Sequence, residues 1–366
     1  MKLLHVITSL RTGGAEKLMV DLLPMLRDLG NDVELLLFDG VRTEFMEQIE
    51  RSGIKIHISR VGGSVYNPKN IIYLRNIINQ FDVVHTHNTA PQIFAAMAKT
   101  FIGGNNIKLV TTEHNTTNRR RNKPYLKFID RWMYSKYTKV ICISNQAENN
   151  LRRYLNDDSS KICTIFNGVD ISQFSSYNRI NEARNEDDGC IFVTMVAAFR
   201  EQKDQQTLIR AFSLLPANFK LQLVGGGDIG LIEKSKDLVK QLKLSNRVDF
   251  MGIRTDIPTI LYASDIIVLS SHYEGLSLSS LEGMASGRPF VASDVDGLHE
   301  IVDGYGLLFP HEDAQSLADI LLKLSIDKAY SDRIAAKCQE RAKQFDITVM
   351  AQKYNCIYKK LFDNEL

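Results

Sequence analysis

The sequence predicts an α/β protein made of two doubly wound domains. Short apolar runs alternate with helical patterns through the first half of the chain, and the same alternation restarts after a polar interval near residues 171–188. Strands alternating with helices over such lengths specify mostly parallel sheets with helices on both faces. At 366 residues the chain is also too long for one ordinary core. It suits two domains of about 150–200 residues each.

The elements follow in order. Leu3–Thr8 reads as the first strand, Gly13-Gly14 as a turn, and the residues up to about Leu29 as an amphipathic helix. The next strand is Asp32–Phe38, and Val83–His85, Leu109–Thr111 and Val140–Ile143 are further ones. Asn167-Gly-Val-Asp170 closes a first domain, 1–170. Residues 171–188, ending in Asn181-Glu-Ala-Arg-Asn-Glu-Asp-Asp188, have few apolar anchors and the composition of a linker. A second domain, 189–345, holds strands at Cys190–Val196, Leu221–Val224, Val248–Phe250, Ile266–Leu269 and Pro289–Ala292. The tail, 346–366, spaces Ile347, Met350, Ala351, Tyr354, Ile357, Tyr358 and Leu361 as one face of a helix that needs a surface to cover.

Composition excludes several classes. The chain is 44% hydrophobic and 24% charged, as globular proteins are, and a net charge of +2 selects no partner by whole-molecule electrostatics. Its five cysteines (Cys142, Cys163, Cys190, Cys338, Cys356) are scattered and form no C-x-x-C. That pattern argues against a disulfide framework or a cysteine zinc site and fits a reducing compartment. Met1–Ser9 is too short an apolar run for a signal peptide, and no apolar stretch is long enough to span a bilayer. The expected location is cytoplasmic, at the inner face of the membrane if a basic segment docks there.

The most informative pair is Glu274 and Glu282, in Glu274-Gly-Leu-Ser-Leu-Ser-Ser-Leu-Glu282. The strand run Asp265–Ser271 leads into it and a small-residue helix, Ser279–Ser286, leaves it. Glu274 therefore belongs at a strand's carboxyl end, where open α/β sheets bind ligands. The helix starting near Ser277 offers N–H groups to a phosphate. A glutamate one turn in can accept hydrogen bonds from ribose hydroxyls. Two carboxylates can also serve glycoside hydrolysis, and two glutamates at this spacing also arise by chance. Arg200 and Lys203 follow the strand Cys190–Val196 and suit a diphosphate, or else form a solvated surface pair. Gly13-Gly14-Ala15-Glu16 opens the first helix, where glycine lets a phosphate approach backbone N–H groups or simply makes a tight turn. Asp39, ending the second strand, could mimic the ribose acid of a dinucleotide fold.

His85, His87 and His114 lie at strand ends of the first domain. They read as a three-histidine zinc site or as a single histidine donating a hydrogen bond in a polar cleft, the second being preferred. Asp294-Val-Asp296 has the form of a metal-holding D-x-D pair but precedes Gly297 in a loop with no third ligand, and it is discounted. Residues 119–136 gather Arg119, Arg120, Arg121, Lys123, Lys127, Arg131 and Lys136 against a single acid, Asp130, with the only tryptophan. Such a stretch can lie on an anionic membrane or bind an acceptor's phosphate, or be a core helix with solvated cations. Nucleic-acid binding is not expected, since the remainder of the chain offers no matching basic face.

Taken in order, these pieces resemble the retaining glycosyltransferases of family 4, with the GT-B fold. The resemblance rests on Gly13-Gly-Ala-Glu16, Val84-His-Thr-His87, Thr111-Thr-Glu-His114, Asn167-Gly-Val-Asp170 and Leu223-Val-Gly-Gly-Gly-Asp228. Glu274-Gly-Leu with Leu281-Glu-Gly-Met-Ala-Ser-Gly-Arg-Pro289 and Gly297-Leu-His-Glu-Ile-Val302 complete it. It implies two Rossmann-like domains facing across a cleft, with the terminal helix crossing back to the first. It further implies a UDP- or GDP-sugar held mainly by the second domain, no metal cofactor, and a sugar or lipid-linked acceptor on the first. Glu282 would bind the ribose and Glu274 the transferred sugar. Lys203 and an arginine would hold the diphosphate, with Gly14 and the backbone of Gly275, Leu276, Ser277 and Leu278. His114 would lie beside the reacting centre, with His87 and Arg119–Arg121 on the acceptor side. The chain departs from the family at Ala198, where arginine is usual, so either Arg200 substitutes or Lys203 acts with less help, and at Asp296, where glycine is usual. The rival readings are a sugar-nucleotide epimerase or phosphorylase on the same fold, an NAD-dependent oxidoreductase using the first glycine loop, and a non-catalytic lipid- or polysaccharide-binding protein.

Overall fold

The computed structural model describes residues 1–59, 61–102, 107–114, 121, 123–177 and 189–365. The chain divides into two compact units. One comprises Met1–Gly168 together with Ile347–Leu366, and the other Val169–Asp346.

The first unit is a seven-stranded parallel sheet. Its strands are β1 (Lys2–Ile7), β2 (Asp32–Leu37), β3 (Lys55–Ile58), β4 (Val83–His87), β5 (Lys108–Glu113), β6 (Lys139–Cys142) and β7 (Ile162–Thr164), in the order β3-β2-β1-β4-β5-β6-β7. The central strands β4 and β6 are buried at every residue. Helices cover both faces, so these strands read as continuous apolar runs without alternation. One core gathers Leu4, Val6, Leu36, Val84, Leu109 and Val140 against Phe94, Met133 and Leu151.

The second unit holds a six-stranded parallel sheet of β8 (Ile191–Val196), β9 (Phe219–Val224), β10 (Val248–Gly252), β11 (Ile266–Leu269), β12 (Phe290–Ser293) and β13 (Leu307–Phe309), in the order β10-β9-β8-β11-β12-β13. Both orders are doubly wound, reversing between β1 and β4 in one sheet and between β8 and β11 in the other. Three strands had no counterpart in the sequence reading: β3, β7 and β13. All three are edge strands of three or four residues. An edge strand is packed on fewer sides, so its sequence carries little apolar pattern.

The terminal helix, Ile347–Phe362, belongs to the first unit, where it packs on the helix Gly14–Asp28 and on β4. Of the seven residues on its predicted face, Ile347, Met350, Ala351, Tyr354, Tyr358 and Leu361 are buried and Ile357 is half-buried. Burying a side chain of this size contributes about 1.5–3 kcal/mol. Gly168 is required where the helix starts, because a Cβ there would stand 2.6 Å from the Cα of Ile347. One expectation needs correction. Residues 172–177, read as the start of a linker, form a helix in the second unit that buries Phe174 and packs on the helix Ile257–Ala263. Asp170 starts it by accepting hydrogen bonds from the backbone and hydroxyl of Ser172. Residues 178–188 lie outside the described residues.

Candidate active site

In the second unit the strand order reverses at β8 and β11, so their outgoing loops diverge and open a crevice at the carboxyl ends. Arg200 and Lys203 leave β8, and Glu274 leaves β11. The structure brings Lys203 and Glu274 into direct contact, Nζ to Oε1 at 2.5 Å, with side chains 14% and 5% exposed. Ser271 Oγ also donates to Oε1, and Gln202 Nε2 donates to Oε2 at 3.3 Å and to the carbonyl of Tyr273 at 2.7 Å. A carboxylate has about four lone-pair positions. Among the described residues three are used here, two on Oε1 and one on Oε2.

The backbone that carries Glu274 is held as firmly as its side chain. Its N–H donates to the carbonyl of Asp296, and the N–H of His272 donates to that of Gln202. Gly297 sits at φ +85°, and a Cβ there would lie 2.2 Å from the carbonyl oxygen of Glu274 and 2.6 Å from that of Gly275. Only glycine permits both the conformation and the approach. The helix Leu278–Ala285 begins directly afterwards, and its N-cap, Ser277, makes no side-chain capping bond. Such a terminus directs its first N–H groups at an anion. Leu276 is buried, Ser277 and Leu278 are half-buried, and Glu282 is half-buried one turn in. The buried face of this helix packs tightly, with Gly283 against Phe290. Arg200 is exposed, and among the described residues it forms no ion pair, so its cation faces solvent beside the crevice.

The first unit answers with histidines. His85 and His87 on β4 point one way, as their spacing predicts, but the third ring beside them is His5 on β1, which pairs in register with His85. Hydrogen bonds run from His5 Nδ1 to His87 Nε2 at 3.1 Å and from His87 Nδ1 to His114 Nε2 at 3.0 Å. His85 bonds the Tyr358 hydroxyl through Nδ1 and Thr112 through Nε2, and Thr112 meets Tyr354. Burial holds every one of these imidazoles below its ordinary 6.5, to about 3 for His5 and about 4 for His114. All four are neutral near pH 7.

A zinc ion does not fit this cluster. The rings of His5 and His87 are stacked with 13° between planes, and those of His85 and His87 with 22°. Imidazole lone pairs lie in the ring plane, so stacked rings aim them in parallel and not at one ion. Both nitrogens of His85 and His87 are also already bonded. The three-histidine metal site is therefore replaced by a chain of neutral hydrogen bonds. Among the described residues His5 Nε2 is buried without a partner. With His5 Nε2 as the bare nitrogen, His5 Nδ1–H would donate to His87 and His87 Nδ1–H to His114, leaving Nδ1–H of His114 as the end of the chain.

Two family models divide the chain between them. Residues 12–173 match the model described as Glycosyltransferase Family 4, and residues 190–327 match that described as Glycosyl transferases group 1. The chain belongs to glycosyltransferase family 4. Across its full length it is 24% identical to the UDP-Gal:alpha-D-GlcNAc-diphosphoundecaprenol alpha-1,3-galactosyltransferase of Escherichia coli, covering 98% of that protein. It is 23% identical to an N,N'-diacetylbacillosaminyl-diphospho-undecaprenol alpha-1,3-N-acetylgalactosaminyltransferase of Campylobacter jejuni, over 93% of this chain and 95% of the relative. Its fold is that of Anabaena Alr3699/HepE, solved in complex with UDP and glucose. The TM-score is 0.82 at 22% identity, over 97% of this chain and 98% of the other. The fold is GT-B, and the protein is a glycosyltransferase enzyme.

The remaining predicted residues of the glycosyltransferase fall into place unevenly. Gly14 opens the helix Gly14–Asp28, and a Cβ there would meet nothing within 4 Å. Its lack of a side chain therefore serves no internal packing and leaves room beside the helix terminus. Asp39 is engaged by Arg11 at 2.9 Å. Arg121, predicted to face an acceptor, has its guanidinium committed to Glu113 at 2.9 Å, beside Tyr134 and Gln92, which also donate to Glu113. Arg119 and Arg120 lie outside the described residues. Asp294 accepts from His299 at 2.6 Å, and this neighbour raises the His299 pKa. Sequence reasoning missed His5, Gln202 and Ser271. His5 was hidden inside an apolar strand, and Gln202 and Ser271 acquire meaning only as partners of Glu274.

Proposed function

We propose that this glycosyltransferase moves a hexose from a UDP-sugar to a hydroxyl of a lipid-linked glycan acceptor, with retention and without a metal cofactor. The Lys203–Glu274 pair at the β8/β11 switch point, beside an uncapped helix N-terminus, carries the reading. The UDP-sugar and the lipid-linked acceptor are supported by what the Escherichia coli relative is named for, and UDP by the ligands of the Anabaena neighbour.

In this reading Glu282 accepts from the ribose hydroxyls. Lys203, Arg200 and the amides of Gly275–Leu278 face the diphosphate and stabilise the charge that grows on it as the bond from the sugar C1 to the phosphate oxygen breaks. These groups supply the positive charge that a metal would otherwise bring. The open position on Glu274 Oε2 takes a sugar hydroxyl, which orients the ring while the acceptor oxygen bonds to C1 and sheds its proton. His114, neutral with Nδ1–H outward, donates to the substrate and does not act as a base.

Membrane contact forms part of the proposal. In the helix Pro124–Ser135 the residues Tyr125, Phe128 and Ile129 share one face and are 68%, 82% and 43% exposed. Lys123 and Arg131 stand beside them, both exposed. No helix of the described residues is long and apolar enough to cross a membrane, so contact would be made at the surface. Phe128→Ser should weaken sedimentation with anionic vesicles by about 10- to 100-fold, the cost of one unburied aromatic ring. Equal binding by both proteins would remove this helix from the contact.

A nucleotide panel scored by thermal shift tests the donor. UDP at about 100 times its Kd should add about 2.7 kcal/mol, and Glu282→Ala should weaken UDP binding about tenfold or more through the lost charged hydrogen bonds. Stabilisation by GDP alone would overturn the base assignment, and unchanged UDP affinity in Glu282→Ala would remove the ribose role.

A further inference from the structure

We propose that His272, His311 and Glu312 form a binding site for a divalent transition metal of the zinc class, outside the donor-binding residues. His272 follows β11, and His311 and Glu312 follow β13. Two crossovers separate these segments in sequence, and the doubly wound order brings their carboxyl ends to the same edge of the sheet.

The geometry is that of converging ligands. His272 Nδ1 lies 2.7 Å from His311 Nε2 and 3.4 Å from Glu312 Oε1, and His311 Nε2 lies 3.9 Å from the same oxygen. Zinc bonds of about 2.0–2.1 Å in a tetrahedron place ligand atoms about 3.3 Å apart. The three observed separations bracket that value. The two imidazole rings stand at 88° to each other with centroids 4.9 Å apart. Perpendicular rings let in-plane lone pairs meet at one point, which the stacked histidines of the other unit cannot do. Glu312 sits at φ +62°, a left-handed conformation uncommon for a residue with a Cβ. The cluster is partly exposed, so an ion can enter and keep water as a fourth ligand.

Two nitrogens and one carboxylate oxygen favour zinc, cobalt or nickel over magnesium or calcium, which prefer oxygen-only sites. Uptake needs only that the hydrogen shared by the two rings move to a remote ring nitrogen. The bound ion would join the strap after β11, which also carries Glu274, to the loop after β13. His272 is already tied there through its backbone N–H to Gln202, a direct partner of Glu274.

Equilibrium dialysis against zinc tests the site, using the full chain with its thiols alkylated. The wild type and the control His299→Ala should each bind one equivalent. His311→Ala and Glu312→Gln should each lose affinity about tenfold or more, since removing a ligand removes binding free energy directly. Cobalt should give a d–d absorption without a thiolate charge-transfer band. All three substitutions are at partly exposed side chains, and an unchanged unfolding temperature confirms that each variant is folded. Zinc bound equally by wild type and His311→Ala, or not bound by the wild type, overturns the proposal.

Discussion

The two units place polar side chains at the same topological point, where the strand order reverses, and satisfy them in opposite ways. Around β1, β4 and β5, His5, His85 and His87 are buried as neutral rings and His114 is half-buried beside them, hydrogen-bonded among themselves and to Tyr358 of the terminal helix. Around β8 and β11, a lysine and a glutamate meet as an ion pair at the edge of solvent. Neutral rings cost little to desolvate once hydrogen-bonded, whereas buried charges cost several kcal/mol unless their geometry is favourable. Retaining such charges accords with the proposal that a diphosphate arrives there. The histidine unit presents a hydrogen-bond donor and no charge.

Acidification should separate the units most strongly. His5, His85 and His87 are held below 6.5 by burial, so the unfolded chain takes up protons before the folded one does. The stability they support is intact above pH 6.5 and is lost as pH falls through the window from 6.5 down to about 3, the value for His5. Their losses act in the same direction, since each neutral ring must take up a proton that the unfolded chain accepts first. His299 in the other unit has its pKa raised by Asp294 and so favours folding on acidification. Trp132, the only tryptophan, lies in the histidine unit. Its fluorescence should therefore change at a higher pH than the bulk of the far-UV circular dichroism, and coincident transitions would break the contrast.

Glu274→Ala should lower turnover by about 10²- to 10³-fold, measured as UDP release. It should also destabilise the protein by about 3 kcal/mol, because Lys203 is left without its partner. The double variant Lys203→Met with Glu274→Leu should regain most of that stability and none of the activity. A single variant that keeps full stability would show that the pair is not paid for by burial.

Tyr358→Phe should have the smallest effect. It strips the partner from His85 Nδ1 at a fully buried position, and an unsatisfied buried group costs about 1–3 kcal/mol. Urea unfolding should show that loss while UDP affinity stays unchanged, since the residues proposed to bind the donor lie in the other unit. A fall in UDP affinity would mean that the two sites are coupled.

Much of this was legible in the chain. The alternation of elements revealed two doubly wound sheets, and the strand-to-helix placement of Glu274 and Glu282 put them at the carboxyl end of β11 and on the helix that follows. Edge strands and the helix 172–177 were not legible, because three to six residues packed on one side leave too short a pattern. His114 was legible as a strand-end histidine, but its hydrogen bond to His87 was not, because it joins two strands.

By itself the sequence determined the class of fold, the order of its loops and the identity of the residues at the strand ends, because periodicity and turn residues are local properties. Tertiary structure alone decided which of those residues touch. Register between β1 and β4 set His5 beside His85 and made those rings members of one hydrogen-bond chain. The meeting of β8 and β11 made Lys203 the partner of Glu274. Perpendicular rings after β11 and β13 made a metal site of residues whose spacing suggests none. Contacts across a parallel sheet join segments far apart in the chain, and no local pattern records them.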